Sequence, residues 1–372
     1  MRILIPSIVD PSKSKGGAWT AARGLLSAIR IALPEASVEW LALPDIPRME
    51  HRLRQAGAIA AAFTDERVPA KVRFTMDGEF RQRLARRLAD VRPDLVMVNG
   101  SDLLWVLDEI PSHVPAVMIF NNVEHELYET QVRAYQRFPL LGHLLRRDLR
   151  ALERAETSLL SRIPGAIFFS VADRSWAVRR KPDLDSILTP PVFDYEVRPR
   201  NRGKTQKKVL GMLADFTWWP NKRDLSWLCD NVLPAVEDRV ELHLWGRGSE
   251  RAAKGSTPLV AHGFVDDPRD AFEASDIMIA PAQSGAGVKV KVAEALFNRA
   301  PVIATPAAVR GLDLPRAGPV RLCADASEWI SFLRSTGLED LVATPVTDEA
   351  AFQFKPESLH SSLREFLTRM VS

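Results

Sequence analysis

Directly after the apolar run Ile277–Ala280, the chain reads Pro281-Ala-Gln-Ser-Gly-Ala-Gly-Val-Lys-Val-Lys-Val-Ala-Glu-Ala-Leu-Phe297, a glycine-bearing turn that opens a helix. Glycine lets backbone N–H groups approach a ligand closely, and the positive end of a helix dipole favours an anion there. Gly285, Gly287 and Val288 form the turn, and Lys289 and Lys291 add two full positive charges at its mouth. Glu294 follows within the first helical turns, where a carboxylate can accept two hydrogen bonds from a ribose diol. Phosphate and ribose together mean a nucleotide. Alone, these residues also describe a capped helix with solvated lysines. Their place beyond the carboxyl end of a strand, where open α/β sheets bind ligands, favours the site.

A second polar group lies in Phe120-Asn-Asn-Val-Glu-His-Glu-Leu127, after another apolar run. Asn122 and Glu124 either line a ligand cleft or cap the following helix. His125 titrates near neutrality and is either a proton carrier or a histidine on the helix surface. Trp218 and Trp219 beside Pro220 either stack on a sugar or base or close a core edge. Arg247, in the turn Leu244-Trp-Gly-Arg-Gly248, reaches either a phosphate or solvent. No Asp-x-Asp pair or histidine cluster makes a convincing metal site, so neither a metal nor another cofactor is expected.

Short apolar runs alternating with amphipathic stretches must position these groups, the pattern of parallel sheets covered by helices. The expected strands are Arg2–Ile5, Val38–Leu43, Leu95–Val98, Ala116–Ile119 and Ala166–Phe169, then Val209–Leu213, Val240–Trp245, Leu259–His262, Ile277–Ala280 and Val302–Ala304. Between the sets, residues 197–208 hold six basic and no acidic side chains with Pro and Gly, and read as a solvated linker. The expected division is a first domain over 1–196, the linker, a second domain over 209–355, and a C-terminal helix over 356–372 able to pack on either domain.

With 372 residues the chain is long enough for two domains, and 46% apolar with 26% charged residues excludes disorder, collagen and coiled coil as the main architecture. Residues 1–200 carry 29 basic and 25 acidic side chains, and residues 201–372 carry 21 and 22. That balance lacks the basic footprint of a dedicated nucleic-acid binder. Two cysteines, Cys229 and Cys323, fit a reducing compartment, and no run reaches the roughly 20 apolar residues of a spanning helix. A cytoplasmic protein is expected. In Leu140–Arg154, leucines on one helical face oppose Arg146, Arg147, Arg150 and Arg154, so this helix either covers a sheet or lies on an anionic membrane at its inner face; Arg81, Arg83, Arg86 and Arg87 add a second basic stretch.

Gly285–Leu296, continued by Pro301-Val-Ile-Ala-Thr305 and Gly311-Leu312, resembles the donor-binding segment of family-4 (group 1) glycosyltransferases. Other pieces resemble that family in order and spacing: Gly211–Lys222 through Leu233-Pro234 the opening of its second domain, Leu244–Gly248 its glycine turn, and Gly263-Phe-Val-Asp-Asp267 its base-binding loop. Gly16-Gly17 resembles its first glycine loop, which approaches phosphate and acceptor.

The resemblance implies an α/β chain of the GT-B fold, two Rossmann-like doubly wound domains facing across a cleft. It implies transfer of a sugar from a nucleoside-diphosphate sugar to a glycan or lipid-linked acceptor, with retention and without an essential metal. Lys289 and Lys291 would neutralise the diphosphate and Glu294 would hold the ribose. Asn221, Gly246, Arg247, Phe264 and Val265 would complete the donor site, with Gly16 and Gly17 admitting both substrates and Asn122 and Glu124 facing them from the first domain. Two positions depart from the family: Ala286 replaces the first of a pair of glutamates, and Asn121 replaces a histidine. An epimerase of the same architecture, or a protein that binds nucleotide sugars or glycans without catalysis, are the rival readings.

Overall fold

The computed structural model describes residues 1–372 apart from 14–15, 47, 66, 134–137, 201–205, 254–258, 284–286 and 315–318. Twelve strands are assigned among the described residues, in two six-stranded sheets whose pairings are all parallel.

The first sheet comprises β1 (Arg2–Ser7), β2 (Ser37–Ala42), β3 (Leu95–Asn99), β4 (Ala116–Phe120), β5 (Gly165–Phe168) and β6 (Asp185–Leu188), in the order β2-β1-β3-β4-β5-β6. All five residues of β3 are buried, as expected of a parallel strand covered on both faces. The register pairs Ser7 with Asn99 and Asn99 with Ile119, so the carboxyl ends of β1, β3 and β4 lie side by side. The strand order reverses at β1 and β3, which is where a doubly wound sheet opens its ligand crevice. Leu4, Val96, Val98, Met118, Phe120, Phe168 and Trp176 lie in the core of this unit.

The second sheet comprises β7 (Lys208–Leu213), β8 (Val240–Trp245), β9 (Leu259–Gly263), β10 (Ile277–Ala280), β11 (Val302–Ala304) and β12 (Val320–Leu322), in the order β12-β11-β10-β7-β8-β9. Renumbered within the unit this is 3-2-1-4-5-6 read from β9, the dinucleotide-binding order, with its crevice beyond β7 and β10. Separate apolar clusters include Phe297, Val302 and Phe354 in one, and Leu228, Leu242 and Trp329 in the other.

Contacts divide the chain into one unit of Met1–Lys13, Leu25–Thr189 and Leu359–Ser372, and another of Ser14–Gly24 and Pro190–Ser358. Helix Gly17–Ala32 is therefore shared, its first half belonging to the second unit. The cause is close approach: a Cβ on Gly24 would sit 1.8 Å from the Val192 carbonyl oxygen, and one on Gly17 would touch the Val290 side chain at 3.4 Å. Helix His360–Val371 belongs to the first unit, where Phe366 and Met370 press on Gly165 and Arg369 pairs with Asp185.

The described part of the basic stretch 197–208 is not a solvated linker. Arg200 donates to the carbonyls of Phe272, Arg299, Ser275 and Asp276, and Arg198 pairs with Asp267, Asp270 and Glu273. Such arginines tie the segment to the second unit, because a guanidinium carries five donors in a rigid fork and here they are spent on fixed acceptors. Residues 201–205 lie outside the described residues.

Candidate functional site

In the second unit, the strand ends at β7, β8 and β10 bring several of the expected residues together. After β7, Asp215 accepts from Thr217 N and Oγ1, and its carbonyl accepts from Asn221 Nδ2 at 2.9 Å, which fixes Asn221 in the first turn of helix Trp219–Asn231. Lys291 Nζ donates to Asn221 Oδ1 at 3.3 Å. Asp224, buried one turn further on, accepts from Gln283 N at 3.1 Å and so ties the β7 helix to the loop after β10. Burial pushes the Lys291 ammonium down to about 8; Lys289 pushes the same way and Asp224 opposes.

Lys289 is the N-cap residue of helix Val290–Phe297, so its backbone stands at the helix's positive end. Gly287 has φ +68°, a left-handed conformation that glycine adopts without strain, and Val288 packs on the core. Gly285 lies outside the described residues. The Gly16 carbonyl accepts from Trp19 N and Thr20 N, and Gly17 rests on Val290, so the first glycine loop abuts the start of the lysine-bearing helix.

Gly246 has φ +117°, and a Cβ there would lie 2.2 Å from the Ala214 oxygen. Its N–H donates to Gly263 O at 2.7 Å, which joins the turns after β8 and β9. Arg247 lies 3.6 Å from Asp215, Phe264 is exposed, and Val265 is half-buried. Trp218 and Trp219 are both exposed, with the Arg223 guanidinium 5.2 Å from the Trp219 ring; neither closes a core edge.

Glu294 is only 7% exposed. Burial pushes its carboxyl up to about 7, against the opposing effects of the Tyr195 hydroxyl and Arg23. Tyr195 OH donates to Glu294 Oε1 at 3.1 Å and accepts from Asn298 Nδ2 at 2.7 Å.

In the first unit a different constellation surrounds the end of β4. Glu156, from helix Pro139–Leu160, is fully buried and accepts from Ser101 Oγ at 2.7 Å, from the backbone N–H groups of Glu124 and His125 at 2.9 Å each, and meets His125 Nδ1 at 2.7 Å. A buried carboxylate thus caps the helix Glu124–Arg133, whose first N–H groups have no intrahelical partner. His125 is accordingly no surface histidine: it is buried on Glu156, with its ring 5.4 Å from Trp176. Glu124 forms an ion pair with Lys71 and accepts from Asn122 Nδ2 at 3.3 Å. Burial opposes the Lys71 charge, but Glu124, Asp102 and Glu156 outweigh it and hold the ammonium above the ordinary lysine range. Burial, with the charges of Glu124 and Glu156, pushes Asp102 up to about 7. Asn121 donates to Asn99, which donates to Ser7 Oγ, linking the ends of three strands.

The helix Pro139–Leu160 covers the sheet through Leu145, Leu152, Leu159 and Leu160, while Arg146, Arg150 and Arg154 face solvent. Arg81 and Arg87 are paired with Glu109 and Glu39. Among the described residues no group of three His, Cys, Asp or Glu side chains is placed to hold a metal ion, and no helix is long and apolar enough to cross a membrane. Lys71, Asp102, Glu156 and Tyr195 escaped the sequence reading because each stands far along the chain from the groups it serves, and Asn298, four residues from Glu294, escaped it because the hydroxyl it donates to belongs to Tyr195, 103 residues away.

Residues 207–331, about a third of the chain, match the family profile described as glycosyl transferases group 1. No curated protein matches the chain. Sucrose-phosphate synthase from Thermosynechococcus elongatus superposes with a TM-score of 0.69 at 14% identity, covering 99% of this chain and 98% of that one. HepE from Anabaena, solved with UDP and glucose, superposes with 0.64 at 15% identity over 99% and 100%. TarM superposes with 0.57 at 14% identity over 79% of this chain, which spans 58% of that protein's length. The two parallel-sheet Rossmann-like units are those of the GT-B glycosyltransferase fold.

Proposed function

We propose that the protein is a family-4-type glycosyltransferase that moves a sugar from a nucleoside-diphosphate sugar to a hydroxyl of a glycan or lipid-linked acceptor, with retention and without an essential metal. The observation that carries this reading is the convergence at the ends of β7 and β10: Lys291 on Asn221, Lys289 at a helix N-terminus, and a buried Glu294 further along the same helix. The group 1 profile spans this region, and HepE, of the same fold, holds UDP-glucose.

In this reading the diphosphate lies against Lys289, Lys291 and the N–H groups at the start of helix Val290–Phe297. The bond from C1 of the sugar to the β-phosphate oxygen breaks, its electron pair leaves with the nucleoside diphosphate, and the two lysines meet the charge that develops. The acceptor oxygen bonds to C1 from the face the phosphate vacates, and its proton passes to the departing phosphate. Glu294 takes the ribose, Asn221 and Arg247 flank the phosphates, Phe264 and Val265 border the base, and Gly16 and Gly17 leave room for donor and acceptor. Asn122 and Glu124 belong to the acceptor side.

For a lipid-linked acceptor, contact at the cytoplasmic face of an anionic membrane completes the reading. Met49 and Leu53 are 70% and 67% exposed one turn apart, with exposed Arg52 between them, which supports it.

The test is incubation with a panel of nucleotide sugars and glycan or lipid-linked acceptors, followed by release of nucleoside diphosphate and the anomeric configuration of the product. Transfer that requires acceptor supports the proposal. Product without acceptor marks an epimerase, and binding without turnover marks a binding protein.

A further inference from the structure

We infer that Tyr195 is a positioning residue for the ribose contact, fixing the Glu294 carboxylate so that Oε2 is presented to the diol of a nucleoside diphosphate. The inference rests on the donor-site reading above and deepens it.

The geometry is a closed loop. Tyr195 OH donates its single proton to Glu294 Oε1, while Asn298 Nδ2 donates to the phenol oxygen and to the Glu294 carbonyl at 2.8 Å. The phenol cannot rotate its proton away without leaving the carboxylate oxygen unmatched. Its ring is held edge-on to Phe297, with centroids 5.1 Å apart, and the Arg269 guanidinium lies 5.6 Å from it. Glu294 Oε1 is thereby spent, and Oε2 has no hydrogen-bond partner among the described residues.

The surrounding charges leave this role to Tyr195. Arg23, from the shared helix, acts on Glu294 but also pairs with Asp194 at 3.4 Å. Arg269 is engaged by Asp267. The packed helix Asp348–Phe352 carries Asp348, which pairs with Arg299, and Glu349; Lys289 and Lys291 stand at the other end of the Glu294 helix. A donor to the ionised form favours ionisation, so the phenol resists the upward push of burial and keeps the carboxylate able to accept from hydroxyls.

Tyr195→Phe removes one oxygen and leaves the ring packing. In protein with 13C-labelled glutamate carboxyls, with Glu294→Gln identifying the signal, the Glu294 midpoint should move upward from about 7. An unchanged midpoint overturns the inference. Binding of UDP, GDP and ADP, each beside its 2′-deoxy form, and of pyrophosphate supplies the second readout. Wild type should prefer one ribonucleotide over its deoxy form by about tenfold, the size of one hydrogen bond to a charged group. The variant should lose most of that preference while binding pyrophosphate unchanged. Equal weakening of all ligands would show a merely structural tyrosine and overturn the inference. If no nucleotide binds wild type while the midpoint still moves, the donor-site reading fails and the Tyr195–Glu294 coupling stands.

Discussion

Replacing Glu156 by Ala should loosen the first unit from one point. The carboxylate is fully buried and satisfies Ser101 Oγ, the Glu124 and His125 backbone N–H groups, and His125 Nδ1, all within 2.9 Å. Removal leaves four donors in a site closed to water and takes a negative charge from a helix N-terminus. Breaking a buried charged network by deleting one partner costs about 3–5 kcal/mol, which for a unit of this size lowers Tm by about 10 °C. Glu156→Gln keeps one acceptor oxygen and should cost about half as much. Because the chain has two units, a single melting point is not a clean measure, so the loss should be read locally by hydrogen exchange at the Glu124 and His125 amides. The Asp102 titration gives an independent readout: Glu156 helps push it up, so Glu156→Gln should lower its midpoint. Exchange at those two amides unchanged in Glu156→Ala, with stability lowered by less than about 1 kcal/mol, would refute the reasoning.

Asp102→Asn should act in the opposite sense. A carboxyl raised to about 7 binds more protons in the folded state than in the unfolded one, so its ionisation costs stability. The Asn variant should gain on wild type progressively from pH 4 to pH 7 and hold that gain above, as followed by denaturant titration. Lys289→Ala and Lys291→Ala should each lower turnover by at least tenfold while leaving the thermal transition of the second unit in place. With Lys291 titrating at about 8, pyrophosphate affinity in wild type should fall as pH rises through that value, and this fall should be absent in Lys291→Ala. Gly24→Ala should destabilise the second unit by about 1–3 kcal/mol despite the better helix propensity of alanine, since its Cβ meets the Val192 carbonyl at 1.8 Å; a neutral effect in thermal unfolding would contradict that packing.

Ten of the twelve strands among the described residues were legible as apolar runs: eight are central parallel strands buried on both faces, as in Leu95–Asn99 and Ile277–Ala280, and the edge strands Ser37–Ala42 and Leu259–Gly263 are only partly buried but still carry apolar residues. The two that were not, Asp185–Leu188 and Val320–Leu322, are the last strands of their sheets, half-buried or exposed, and carry no apolar run to read. The lysine-bearing turn was legible for a similar reason: Gly287, Lys289, Lys291 and Glu294 are neighbours along one helix start. The contacts that tune them are not, although Asn221 itself was among the expected donor-site residues. Tyr195 lies 99 residues from Glu294 and Asn221 lies 70 from Lys291, and only the fold brings them within hydrogen-bond range. His125 misled because helical spacing alone does not show that a carboxylate from another helix, 31 residues on, lies beneath it.

The shared helix also bears on how the chain can fold during synthesis. Domains ordinarily close one after another as they emerge, with the N-terminal one first. Here Ser14–Gly24 is made early but packs with Pro190–Ser358, and the first unit waits for Leu359–Ser372. Gly17 meets Val290 only after roughly 270 further residues have been joined, a long loop whose closure slows folding. Neither unit can be completed before the other is nearly made, so a nascent chain carries a first unit without its last helix throughout the synthesis of the second. A fragment beginning at Pro190 would lack the backbone that Val192 and Val290 pack against, and it should fold poorly unless residues 14–24 are supplied.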